Sequence, residues 1–163
     1  MKKIFFLSIC LIVISFSAQS QAAKSIYVEL GGPGIASINF DTRFGNHESG
    51  FGGRVGIGGF SISDNLGDNG TVIFIPIGVN YLLGKDEKNY FELGAGVTPV
   101  LASSSSDYGD DNFSTTFGHI LFGYRLQPKH GGFTFRAFIC PVFGSFGFVP
   151  YYGGVSFGYK LGN

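Results

Sequence analysis

The sequence has no tryptophan, a single methionine, and charged residues at only 13% of its 163 positions. That charged share is about half of the roughly 25% usual for globular domains. Beside 17% aromatics it argues against a disordered chain, which is rich in charge and poor in rings. Neither sign of charge is in excess, with 11 basic and 11 acidic residues, so the electrostatic footprint of a nucleic-acid binder is missing. No apolar run reaches the about 20 residues that a membrane helix needs. What is abundant is glycine, with 27 residues, and phenylalanine, with 19. Glycine at more than double its usual roughly 7% breaks helices, which disfavours a helical bundle. The length accommodates one domain of ordinary size.

The longest apolar run, Ile4 to Phe16, follows Lys2 and Lys3 and precedes Ser17-Ala18-Gln19-Ser20-Gln21-Ala22-Ala23. A positive start, a short apolar stretch and small residues at its end predict a secretory signal peptide over 1–22, cleaved near Ser20 or Ala22. Cys10 would leave with it, so Cys140 would stand alone without an internal disulfide. Losing Lys2 and Lys3 takes two from the 11 basic residues and leaves 11 acidic ones, a formal charge of −2. The exported remainder, 23–163, is then either soluble or a membrane β-barrel.

Turn residues recur along 23–163, and between them the patterning has period two. The expected strands are 25–31, 35–44, 51–61, 71–83, 89–101, 114–126, 132–143 and 150–161. In the fourth, Ile73, Ile75, Ile77, Val79, Tyr81 and Leu83 alternate with positions that include Pro76, Gly78 and Asn80. In the last, Tyr151, Val155, Phe157, Tyr159 and Leu161 alternate with Tyr152, Gly154, Ser156, Gly158 and Lys160. Gly31-Gly32-Pro33-Gly34 reads either as a tight turn or as a kink in one long strand, which leaves eight strands or seven. Connections 45–50, 84–88 and 127–131 are short, while 62–70, 102–113 and 144–149 tend to be longer or floppier, the alternation of periplasmic turns and extracellular loops. Eight strands bring both ends of the chain to the periplasmic side.

Whether the apolar face points inward or outward separates a lipocalin-like barrel from a membrane one. Glycines 56, 58, 78, 94, 96, 123, 154 and 158 crowd the other face, which suits the narrow interior of eight strands. Phe44, Phe51, Tyr81, Phe91, Tyr124, Phe133 and Tyr159 fall at one end of the apolar face, as an aromatic girdle does. The opposite girdle is thinner, with Phe143 and Tyr151. Glu29, Asp41, Arg43, Arg54, Glu92, Arg125, Arg136 and Lys160 all share the glycine face. A Lys or Arg facing lipid at the midplane costs about 2–4 kcal/mol, so these charges are expected in the lumen, paired with one another. A lining for an ion path is the less favoured reading.

Phe74-Ile75-Pro76-Ile77-Gly78-Val79-Asn80-Tyr81-Leu82-Leu83-Gly84, Phe91-Glu92-Leu93-Gly94-Ala95-Gly96 and Val155-Ser156-Phe157-Gly158-Tyr159 carry a resemblance. With the signal peptide, the alternation and the aromatic rim, the chain resembles the small eight-stranded outer-membrane β-barrels of Gram-negative bacteria, the OmpX and OmpA transmembrane-domain type. These segments are also similar to barrels from the Bacteroidota. The resemblance implies an all-β, antiparallel up-and-down transmembrane β-barrel in the bacterial outer membrane. It further implies contacts with outer-membrane lipid and lipopolysaccharide, and with the barrel-assembly machinery during biogenesis. Such barrels usually end on an aromatic residue, whereas here Gly162 and Asn163 follow Leu161.

Candidate chemistry is sparse. His47-Glu48-Ser49 joins the residue types of a hydrolase triad, yet adjacent residues seldom converge on one centre, and a polar turn is the plainer reading. His119 and Cys140 fall on the lumen face as filler, and His130 in a turn. Asp64, Asp68, Asp107, Asp110 and Asp111 lie in the longer loops without a Lys or Arg among them. Asp107, Asp110 and Asp111 are weak candidates for a divalent metal, and a solvated acidic loop is the plainer reading. Ser103 to Ser106 beside them suggests a mobile loop. The expected protein is a monomeric outer-membrane barrel with a side-chain-filled lumen and a structural or surface-interaction role, without a cofactor or nucleic acid. The alternatives are a lipid A-modifying hydrolase or acyltransferase and a periplasmic lipocalin-like barrel holding an apolar ligand.

Overall fold

The computed structural model describes residues 23–63, 69–106 and 109–161. The expected signal peptide over 1–22, with Cys10, lies outside them, as do Asp64, Asp68 and Asp107. Eleven strands form one antiparallel sheet. They are β1 (Lys24–Gly31), β2 (Ala36–Arg43), β3 (Gly50–Ser63), β4 (Asn69–Phe74), β5 (Ile77–Leu83), β6 (Asn89–Ser106), β7 (Gly109–Leu126), β8 (Gly132–Ile139), β9 (Val142–Gly144), β10 (Gly147–Val149) and β11 (Gly153–Leu161). β4 with β5, β8 with β9, and β10 with β11 each continue one stave, so the wall has eight. β11 pairs back onto β1, with Ser25 opposite Lys160 and Tyr27 opposite Gly158, and this closes the barrel. Closure leaves no sheet edge in that ring to meet lipid.

Gly32–Gly34 form a tight turn, which decides between seven staves and eight. Gly31 and Gly32 take φ of 76° and 67°, and the Gly31 N–H donates to the Ile35 carbonyl at 2.6 Å. β1 and β2 then run antiparallel, Tyr27 opposite Asn39. The turn folds inward, and all three of its residues are buried. A side chain on Gly32 would collide with the Phe138 ring and the Glu29 carboxylate.

Three expectations need correction. The fourth strand breaks at Ile75 and Pro76, because proline has no N–H for the ladder. The wall stays continuous there through Gly56 N–H to the Pro76 carbonyl, 2.9 Å, and Ile75 N–H to the Pro99 carbonyl, 3.0 Å. Within the expected loop 102–113, residues 102–106 and 109–113 are paired strand: β6 and β7 stay in register to Ser106 and Gly109. Serine and aspartate have low strand propensity, and the ladder rising from below overrides it. Residues 144–149 likewise form a small β9–β10 hairpin, with Phe143 opposite Phe148, before β11 begins at Gly153.

The faces sort by environment. Outward residues such as Ile26, Val28, Val55, Ile57, Val79, Phe122 and Phe157 are exposed. On β6 the outward row runs from Phe91 to Leu101; at about 3.3 Å per residue and a tilt of about 40° it covers about 25 Å, the height of an outer-membrane apolar band. Inside, bulky side chains sit opposite glycines in the register: Arg43 faces Gly52, Asn39 faces Gly56, Tyr27 faces Gly158, His119 faces Gly96 and Phe138 faces Gly123. A Cβ on any of these glycines would overlap the side chain opposite. Gly158→Val is therefore expected to lower stability by about 1–3 kcal/mol through overpacking, read by urea unfolding in lipid vesicles. Gly45→Ala, which points into open space, should change it by less than about 0.5 kcal/mol.

Candidate functional site

The lower half of the lumen, toward the short turns, is charged. Asp41 accepts from Arg43 at 2.7 Å, Arg125 at 2.9 Å and the Asn80 amide at 2.6 Å. The same Asn80 amide donates to Glu92 at 2.8 Å, and its oxygen accepts from Arg43. Glu92 is bound by Arg136 through two guanidinium nitrogens and lies 3.6 Å from Arg125. Arg136 stacks over the Tyr27 ring, 4.5 Å from its centroid, with Arg54 at 5.8 Å. Arg54 donates to Glu29 at 2.8 Å and to Asn39 at 3.1 Å. Every one of these charged groups is buried.

Seven of the eight charges on the glycine face thus join one chain of contacts from Arg43 to Glu29. Lys160 stands apart at the mouth, where it donates to Glu48 and to the Lys129 carbonyl. Asn80, Asn39 and Tyr27 complete the network without having been singled out in the sequence. Their position on the inward parity was the available signal. Glu48, read in the sequence as part of a polar turn, reaches back into the barrel, where Gln127 donates to it at 3.0 Å. Glu48 is therefore engaged by Lys160 and Gln127, and His47-Glu48-Ser49 forms no triad.

That mouth holds a polar cavity of about 370 Å³ lined by Asn46, His47, Glu48, Glu87, Lys129 and His130, drawn from all three short turns. In the turn at 84–88, Asp86 accepts from its neighbour Asn89, side chain and N–H, and from the Lys88 N–H. These bonds hold its carboxyl below the usual carboxylate range. The gap among Arg54, Asn80, Glu92, His119 and Leu121 in mid-lumen leaves no water-sized space. The upper half is packed with Leu121, Phe138, Cys140 and Val142, against which Phe117 and Tyr152 lie. His119 Nδ1 is 3.4 Å from the Thr98 hydroxyl.

The aromatics at the turn end meet across the register: Phe51 opposite Tyr81, Phe91 opposite Tyr124, Phe133 opposite Tyr159. Phe51 and Tyr81 meet edge-on with centroids 4.7 Å apart, and Phe44 follows β2 at the same level, its N–H on the Phe51 carbonyl. At the opposite end Phe143 and Tyr151 are exposed, and Phe148, opposite Phe143 in the register, is exposed beside them. Asp110 and Asp111 lie in β7, opposite Ser105 and Ser104. Among the described residues no three His, Cys, Asp or Glu side chains group to hold a metal ion.

No family profile matches the sequence, and no curated protein matches it. The fold has solved counterparts. The N-terminal β-barrel domain of Pseudomonas aeruginosa OprF superposes with a TM-score of 0.58 at 11% identity, over 86% of this chain and 96% of that one. Ail, the attachment invasion locus protein of Yersinia pestis, solved with the heparin analogue sucrose octasulfate, gives 0.54 at 12% identity, over 87% and 97%. Neisserial surface protein A gives 0.50 at 13%, over 87% and 94%. The architecture is thus that of the small eight-stranded outer-membrane β-barrels; none of the three bears on the likeness to Bacteroidota barrels.

Glu92→Gln removes the carboxylate that Arg136 and Arg125 share, and leaving a buried charge unpaired costs about 3–5 kcal/mol. Urea titration of the folded barrel in vesicles should show that loss. Glu87→Gln breaks the exposed pair with Lys129 (side chains 57% and 47% exposed) and should cost less than about 1 kcal/mol.

Proposed function

We propose that this chain is an outer-membrane barrel whose closed ring anchors it and whose strand ends on the far side from the short turns form its working surface. The observation that carries the reading is the sorting of charge: the buried charges of the strands point into a closed lumen, and an apolar belt about 25 Å tall surrounds it. A soluble barrel with that exterior would expose far more contiguous apolar surface than water tolerates. The lumen is too full of ion pairs to conduct or to hold an apolar ligand, which argues against a channel and a lipocalin-like carrier. A structural or surface-interaction role remains, with outer-membrane lipid and lipopolysaccharide around the belt, assembly by the barrel machinery, and a monomeric state.

A lipid A-modifying enzyme would place its acid–base residues on the lipid face near the outer leaflet. All three histidines lie elsewhere: His119 in the lumen and His47 and His130 in the short turns. We therefore read the protein as non-enzymatic.

Two measurements test the proposal. The purified protein should need detergent and migrate faster on gels when unheated than after boiling; a soluble protein without that shift would end the reading. On intact cells, an impermeant maleimide should label Ser103→Cys, whereas Asn46→Cys should react only after the outer membrane is permeabilised. Cys140 is fully buried and contributes no background in the folded barrel. Labelling of Asn46→Cys on intact cells would invert the proposed orientation.

A further inference from the structure

The strands that rise above the belt stay apolar on one side only. In the belt, Ile73 and Leu101 face outward opposite one another. At the next outward level Ser61, Thr71, Ser103 and Asn112 stand in one row across β3, β4, β6 and β7, and the Ser61 and Thr71 hydroxyls are 3.1 Å apart. Such a row does not belong in hydrocarbon, so the belt ends there. The inner face, already apolar in the upper lumen, stays apolar at that height. Phe60, Val72, Ala102 and Phe113 form one register row, and the Phe60 ring lies 6.2 Å from that of the buried Phe74. Ile62 stands one row further out, and Phe117 below meets Phe146 edge-on at 6.0 Å. Ile62 and Phe113 are each 64% exposed. This face looks over the barrel mouth, away from lipid, and is uncovered among the described residues.

Two further features bear on what covers it. Among the described residues, β7 from Gly109 to Phe117 pairs with β6 on one side only, and pairing on its other side begins at Gly118 with Phe143. An edge of unpaired N–H and C=O groups is a template for another strand. The sequence has no Lys or Arg from Val55 to Gly84 or from Asn89 to Tyr124, while Asp110 and Asp111 lie in that free-edged segment of β7. The field at this end is negative, the opposite of what a sulfated sugar such as the one held by Ail requires.

We propose that this face and edge bind an extended segment of a cationic amphipathic polypeptide, with its apolar side chains on the Phe60–Val72–Ala102–Phe113 row and its Lys or Arg side chains in the negative field of the strand ends. The inference rests on the reading of this end as the working surface of an outer-membrane barrel. Because the chain has no tryptophan, a synthetic peptide alternating Lys and Leu with one Trp reports its own binding by fluorescence. The full-length protein in zwitterionic micelles should bind it saturably, with empty micelles as the blank, and more weakly as salt rises. The Ile62→Ser/Phe113→Ser double variant should bind about tenfold more weakly or worse, and Asp110→Asn/Asp111→Asn should lose most of the salt dependence. Each sample is first checked for the heat-dependent gel shift. A barrel that keeps the shift yet binds no peptide, or binds a Glu/Leu counterpart equally, or is indifferent to the Ile62 and Phe113 changes, overturns this proposal and leaves the anchoring role standing. Loss of the gel shift in the unsubstituted protein would instead overturn the barrel reading itself.

Discussion

Charge that cannot face lipid must fit inside a ring of only eight strands, and most of this molecule follows from that. The lumen of such a ring is barely wide enough for side chains. Four arginines, two glutamates and an aspartate enter it only because the wall opposite is so often glycine: Arg43 faces Gly52, Arg54 faces Gly78 and Glu92 faces Gly123. Once inside, each needs a partner, since a lone buried charge is costly. Asn80 bridges the Asp41 and Glu92 groups, and Tyr27 offers its ring between Arg54 and Arg136. Glycine content and ion pairing are therefore one requirement seen from two sides of the same ladder.

Much of this was legible in the residues, because lipid imposes a strict alternation. A strand with hydrocarbon on one side and a packed polar lumen on the other must write period two into its sequence, and β1, β5 and the lower part of β6 do so. Strand parity alone put Glu29, Asp41 and Arg136 on one face, and the strand count fixed which end carried Phe51, Phe91 and Tyr159. The number of staves rested on Gly31 to Gly34, where turn and kink share the same residues. Only the antiparallel pairing of Tyr27 with Asn39 separates them.

What stayed hidden lies where the alternation loses its physical cause. Above the belt neither face meets lipid, so Ser103 to Ser106 show no period and resemble a loop, although their backbone continues a ladder begun below. Pro76 and Pro141 were visible as residues but not as breaks, because bonds such as Gly56 N–H to the Pro76 carbonyl and Ile120 N–H to the Pro141 carbonyl carry the wall past them. The lumen contacts of Glu48 were hidden for a different reason. A turn residue that folds back into the lumen obeys no strand parity, and only the position of Lys160 across the mouth shows its role.

The two regimes also divide the labour of the chain. Below the boundary marked by Ser61, Thr71, Ser103 and Asn112, each outward side chain is constrained by lipid and many inward ones by the packed network. Substitutions there act mainly on stability. Above it the same strands keep the rigidity of the ladder but are released from both demands, so their side chains can change without disturbing the ring. β6 and β7 cross that boundary in unbroken register, which makes the upper hairpin a stiff extension of the wall. A surface held this way presents its apolar row and its free edge in one fixed geometry and loses little entropy when a partner docks. That coupling of a locked barrel to a permissive but rigid rim is the physical reason to look for recognition at the rim.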